Sequence, residues 1–314
     1  VPTPKNKLLR VFAQTVVILA LLALVTPLHT TEAPNPLSLQ VAGTITKAIV
    51  VEIKPPWDVI DSGVKECFLD ALSKAESEGK ALIYLVDSYG GYLDAAYTIG
   101  DAVSNSRVPT IAYVSGGKAL SAGTMIILPA NIVALHPSAI IGAMQPVMIN
   151  PVTGEIQFVN ESKIVNPVVE KALNYARLRS RNETLVRDFV IKATTVNAEK
   201  AVSYGVADLI AQDLPTLLKS IRGYEVSVSG VVVRLEIEES GLEFYACSVR
   251  SRLLSLLENS TVLNMLLTIG LLGTIFALLS GKITVLPLTL LFLLLGLAGS
   301  GLNPNLVSLF LIIL

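Results

Sequence analysis

Ser121 has the surroundings of a reactive residue. It stands in Ala119-Leu120-Ser121-Ala122-Gly123-Thr124, small and apolar, with Gly90-Gly91 upstream and Lys163 about forty residues downstream. A serine hydroxyl is a weak nucleophile until a base takes its proton. Only two histidines exist, His29 and His136, so lysine is the available base. A lysine serves only when neutral, and desolvation disfavours its ammonium form. Acyl transfer also needs N–H groups aimed at the developing oxyanion, which glycine turns and helix N-termini supply. Taken alone, such spacing more often marks a serine that merely caps a helix.

Other residues compete for the same roles. Lys171 lies two turns beyond Lys163 on nearly the same helix face. Lys118, three residues before Ser121, is expected to face solvent or substrate. His136, beside Pro137 at a strand end, reads as a structural or surface histidine. Ala119 stands where G-x-S-x-G needs its first glycine, which disfavours an α/β-hydrolase.

The elements that must position these residues alternate between strand and helix. Ala48–Ile53, Ala81–Val86, Thr110–Val114 and Ile132–Leu135 read as strands, with Ala139–Ile141 as a further short one. Asp58–Glu78 and Leu93–Val103 have helical spacing, and Ser121 opens a helix of small and apolar residues. Gly90-Gly91 and Gly116-Gly117 read as turns. Residues 144–160 form a loop or hairpin. Helices follow at Ser162–Arg179, Thr184–Lys192 and Asn197–Tyr204, then a hairpin around Ser229-Gly230. Such alternation implies parallel β-α-β units.

Composition sets the class. Of 314 residues, 52% are hydrophobic and 16% charged, against ~45–50% and ~25% in soluble domains. The apolar excess lies in 11–28 and 262–314. Residues 1–28 read as an N-terminal signal or anchor segment, with Lys5, Lys7 and Arg10 before the apolar run, and anchor is the preferred reading. Residues 29–43 are a linker, 44–248 a soluble domain, and 262–314 a membrane region of two to three helices. Leu302–Leu314 is short of the ~20 residues that cross a bilayer. The basic residues near the spans, Lys282 included, favour a multi-pass protein of the cell membrane with its soluble domain extracytoplasmic. A net charge of −1 gives no electrostatic case for nucleic acid. No metal-ligand spacing is present, and Cys67 and Cys247 read as two separate thiols, a bridge between them being left open.

Three motifs occur in order: Asp87-Ser88-Tyr89-Gly90-Gly91, Leu120-Ser121-Ala122-Gly123-Thr124 and Ile140-Ile141-Gly142-Ala143. Lys163-Ile164, Arg181-Asn182, Ala198-Glu199-Lys200-Ala201 and Tyr204-Gly205-Val206 follow them. Together, over roughly residues 45–215 and the flanking spans, they resemble the ClpP/crotonase superfamily. Within it they resemble the membrane-bound ClpP-class serine proteases of the NfeD family. The resemblance implies an α/β, ClpP/crotonase-like domain of repeated β-β-α and βαβ units flanked by transmembrane helices. It implies Ser121 as nucleophile and Lys163 as general base of a Ser-Lys dyad. The amides of Gly91 and Ala122 would form the oxyanion hole, with Gly90 shaping the turn. No cofactor or metal is implied. The expected activity is cleavage of hydrophobic segments of membrane-associated proteins, stomatin-like partners among them, by a homo-oligomer of two or more copies.

Two departures stand out. Tyr89 occupies the place of the family's proline, and the sequence ends before the small soluble β-barrel that long members carry. Three rival readings stay open: a catalytically inactive membrane scaffold of the same fold, a signal-peptide-peptidase-like serine-lysine peptidase, and a crotonase-like acyl-CoA enzyme. An extracytoplasmic location argues against the last.

Overall fold

Alternating apolar runs become the spine of one parallel sheet. The computed structural model describes residues 43–149 and 156–299. Its first half runs β1 (Gly43–Ile45), β2 (Ala48–Ile53), β3 (Val59–Ile60), α1 (Ser62–Glu78), β4 (Ala81–Ser88), β5 (Gly90–Gly91), α2 (Leu93–Ser104), β6 (Thr110–Leu120) and α3 (Ala122–Ile127). Next come β7 (Ile132–Leu135), β8 (Ile140–Gly142), β9 (Val147–Ile149), β10 (Ile156–Phe158), α4 (Ser162–Leu178), α5 (Glu183–Ile191), β11 (Thr195–Asn197) and α6 (Ala198–Ser203). The last elements are β12 (Leu209–Ile210), α7 (Leu214–Ile221), β13 (Glu225–Val228), β14 (Val231–Leu235), β15 (Leu242–Phe244), α8 (Val249–Glu258), α9 (Ser260–Leu279) and α10 (Leu286–Gly299).

The described residues from 43 to 255 form one unit. Its main sheet has the order β11-β8-β6-β4-β2-β15, with β7 and β12 branching from β6. Within it β11–β8 is the antiparallel pair, and the others are parallel. Both faces are covered, so the strands read as continuous apolar runs. In β4, Leu82, Tyr84 and Val86 join the core under the helices, while Ala81, Ile83 and Leu85 join the core on the opposite face. Long β6 pairs with β7 through Ile111–Val114 and with β8 through Lys118–Leu120. That change of neighbour falls at the C-terminal end of β6, immediately before Ser121. Ligands of open parallel sheets bind at such places.

The structure corrects several sequence-based expectations. The helix expected from Asp58 begins at Ser62, because Asp61 caps it by accepting from Val64 N at 2.8 Å, and Val59–Ile60 is strand β3. Gly90-Gly91 is not merely a turn: it pairs in parallel with β3. β6 runs on through Gly116-Gly117 to Leu120. Within 144–160, expected to be a loop or hairpin, β9 pairs antiparallel with β10. α7, β12, β15 and α8 were not expected. The two cysteines are not separate thiols either: Cys67 of α1 and Cys247, just past β15, form a disulfide.

Residues 256–299 belong to a second unit. α9 has 20 residues and is long and apolar enough to cross a membrane; α10 is apolar but has 14 residues. The two helices pack together, with Thr274 Oγ1 donating to Thr289 Oγ1 at 3.2 Å. The apolar runs Val11–Leu28 and Leu302–Leu314 lie outside the described residues.

Candidate active site

Ser121 sits at the corner between β6 and α3, with φ 53° and ψ −118°. A non-glycine residue at positive φ is strained, by ~1–3 kcal/mol, and persists only where its surroundings over-determine it. Here Ser121 N donates to Gly142 O at 2.9 Å. Thr124 Oγ1 donates to Ala119 O at 2.6 Å and accepts from Gly142 N at 2.8 Å, tying the residues around the corner to the end of β8. The Ser121 side chain makes no capping bond to α3, although it occupies the N-cap position. The corner is thus fixed by its neighbours while the half-buried hydroxyl is left uncommitted. Strained strand-to-helix corners of this kind project a nucleophile, even though G-x-S-x-G is absent.

The glycine pair lies against this corner. A β-carbon on Gly90 would fall 2.8 Å from Ser121 Cβ and 3.3 Å from Ala122 N, and Gly90 has φ +124°. Gly90 N donates to Ser88 Oγ at 3.0 Å, and Ser88 Oγ in turn hydrogen-bonds Asp58 O. Tyr92 N donates to Ile60 O at 2.8 Å. Gly91 lies directly opposite Ile60 and so close to it that a β-carbon would fall 2.3 Å from Ile60 O. Ala122 is the first residue of α3, whose N–H has no partner within the helix. Ser88, Thr124 and Gly142 were not singled out as site residues, although each belongs to a quoted motif.

Cationic side chains brace the far end of α3. Arg181, buried, donates to Leu128 O, Ala130 O and Val206 O at 2.7–3.0 Å and reaches Asp208 Oδ2 at 3.1 Å. Arg179 donates to Pro129 O at 2.7 Å. Tyr84 donates to Ile126 O at 2.9 Å, and burial pushes its hydroxyl well above the usual range, keeping it a donor.

The candidate bases differ in their surroundings. Lys171 is ion-paired to Asp101 at 2.6 Å and lies against the rings of Tyr97 and Tyr175. Lys118 is paired with Asp87 at 2.9 Å, and that hydrogen bond raises it above the ordinary lysine value, so it stays charged. His136 Nδ1 is bonded to Ser138 Oγ at 2.7 Å. Lys163 is exposed in the first turn of α4. Ser121, Gly90 and Ala122 are thus gathered at one corner, and Lys163 on α4 makes no hydrogen bond to Ser121. Among the described residues, no cluster of His, Cys, Asp or Glu could hold a metal.

Residues 50–230 match the family described as NfeD1b, N-terminal domain. The chain belongs to that family. It is 32% identical over 213 residues to the membrane-bound protease PH1510 of Pyrococcus horikoshii, a match covering 67% of this chain and 47% of the relative. The chain therefore spans about half the length of that curated relative. Among solved structures it is similar to a lysine-to-alanine mutant of 1510-N, a membrane-bound stomatin-specific protease, in complex with a substrate peptide. That likeness has a TM-score of 0.60 at 29% identity and covers 67% of this chain and 97% of the other. A serine-to-alanine mutant of the same protease matches with a TM-score of 0.59 at 29% identity, covering 65% and 99%. The family resemblance read from the three motifs is thereby shown, and so is the α/β fold it implied.

Proposed function

We propose that this chain is a membrane-anchored serine endopeptidase with Ser121 as nucleophile and Lys163 as general base. The observation that carries the reading is the strained, braced corner at Ser121, whose hydroxyl is not used as a cap. A second support is spacing. The serine and lysine altered in the two 1510-N mutants lie 41 positions apart, against 42 between Ser121 and Lys163.

Neutral Lys163 takes the Ser121 proton as Oγ attacks the peptide carbonyl. The N–H groups of Gly91 and Ala122 stabilise the oxyanion, and Gly90 admits the close approach of the turn. Collapse breaks the C–N bond, and the Lys163 ammonium returns the proton to the leaving amine. Water then hydrolyses the acyl-serine ester.

The substrate is a hydrophobic segment of a membrane-associated, stomatin-like protein, in keeping with the stomatin-specific relative. Residues 44–248 form the catalytic domain, and 1–28 and 262–314 hold it at the cell membrane as a multi-pass protein. The Cys67–Cys247 disulfide supports an extracytoplasmic domain, because disulfides persist in oxidising compartments. The working form is a dimer or larger. Ser121→Ala and Lys163→Ala are each expected to lower peptide cleavage by ~10⁴-fold or more with the fold intact. Wild-type Ser121 is expected to form a fluorophosphonate adduct. Retained cleavage in either purified variant sinks the dyad, and a wild-type chain that takes no adduct favours an inactive scaffold.

A further inference from the structure

Tyr89, immediately before the glycine pair, is 71% exposed although it is aromatic. Its ring is nevertheless held in place. Lys118 Nζ lies 4.1 Å from the ring centroid, covering one face. Lys118 is itself bonded to Asp87 at 2.9 Å, with side chains only 17% and 23% exposed. A β-carbon on Gly116 would fall 2.2 Å from Asp87 Cγ, so this glycine is what lets the carboxylate nest against β6. Asp87 and Lys118 come from neighbouring strands, where Ser88 pairs with Ala119, two residues before Ser121. The ring is therefore braced by the same two strands that carry the glycine pair and Ser121.

Val59 of β3, paired with Gly90, and Tyr92 and Leu93, which follow β5, are likewise apolar and 47%, 50% and 37% exposed. Because Asp87 balances the charge of Lys118, the surface offered is a fixed ring and not a free cation. A rigid, pre-placed aromatic gains contact area at little entropic cost. Resting on the peptidase reading above, we propose that Tyr89 is a specificity-determining residue of this site. It receives an aromatic or large aliphatic side chain of the substrate next to the bond that Ser121 attacks, with Lys118 and Asp87 as its brace.

The test uses the full chain in detergent, digesting a mixed peptide library whose products are counted by mass spectrometry. The wild type is expected to favour Phe, Tyr or Leu over Gly beside the cut by on the order of tenfold. Tyr89→Ser is expected to bring that preference below about threefold, Tyr89→Phe to restore it, and Lys118→Met, which frees the ring, to give a value between. A preference that is the same in wild type and Tyr89→Ser overturns the proposal while leaving Ser121-dependent cleavage standing. A wild-type chain with neither cleavage nor a fluorophosphonate adduct overturns the peptidase reading, and the subsite with it.

Discussion

At the residue scale the site depends on what surrounds Ser121 more than on the serine itself. Gly90 is the sharpest probe, since a β-carbon there meets Ser121 Cβ at 2.8 Å on a backbone with φ +124°. Gly90→Ala forces the turn and the corner apart. It is expected to slow fluorophosphonate labelling of Ser121 by ~100-fold or more, the scale of losing an oxyanion donor. Normal labelling by a folded Gly90→Ala chain would show that this close contact is not needed for reactivity. The pairing of Ser121 with glycines was visible in the sequence as residue types. The strain was not, because a serine before an apolar helix looks the same whether it caps that helix or turns away from it. What decides is Gly142 O accepting from Ser121 N, a partner 21 positions on that no local pattern announces.

At the element scale α3 is a short helix held at both ends, by Ser121 and Thr124 at its start and by Tyr84, Arg179 and Arg181 at its finish. Arg181 has a 2% exposed side chain and satisfies three backbone carbonyls. Arg181→Met keeps an apolar stem but takes the donor from those three carbonyls and the cation from beside Asp208, which still accepts from Val133 N, so a loss of ~3–5 kcal/mol is expected in chemical unfolding. A loss under ~1 kcal/mol, the size of an ordinary surface pair, would mean that water replaces the guanidinium. The strands were legible as short, continuous, β-rich apolar runs and the longer helices by their apolar period of 3.6. β5 and the end of β6 were not, because glycine pairs signal a break, whereas Gly90-Gly91 pair with β3 and β6 resumes its pairing at Lys118, beyond Gly116-Gly117. The sequence left the disulfide open but did not favour it, because Cys67 and Cys247 are 180 positions apart, a proximity that tertiary packing alone creates. Closing so long a loop restrains the unfolded chain, and Cys247→Ser is expected to lower stability by ~2–5 kcal/mol. Thermal midpoints of oxidised wild type and variant that coincide would count against that contribution.

At the scale of the whole molecule the edge of the main sheet is closed by β15, and its charge makes stability depend on pH. Glu243 accepts hydrogen bonds from Lys74 near the end of α1 and from Lys80 just before β4, the latter at 2.6 Å. Those hydrogen bonds, the one from Lys74 first, hold its carboxyl at about 2 against an ordinary 4.5. A carboxyl depressed in the folded state contributes stability that is whole above its unfolded value and is lost as pH falls through the folded one. The window for Glu243 thus runs from 4.5 down to about 2. Lys74 and Lys80 are raised above 10.5, chiefly by their bonds to Glu243, so their share is whole below that value and fades only in strong alkali. Across the acid window both lysines stay charged, and the titrating partner is Glu243. Glu243→Gln is therefore expected to melt below wild type at pH 7, with the gap closing between pH 4.5 and 2. Because the carboxylate is 43% exposed, added salt is expected to shrink the gap at pH 7 as well. A gap of the same size at pH 7 and pH 2 would assign the difference to lost packing at β15 and not to its charge.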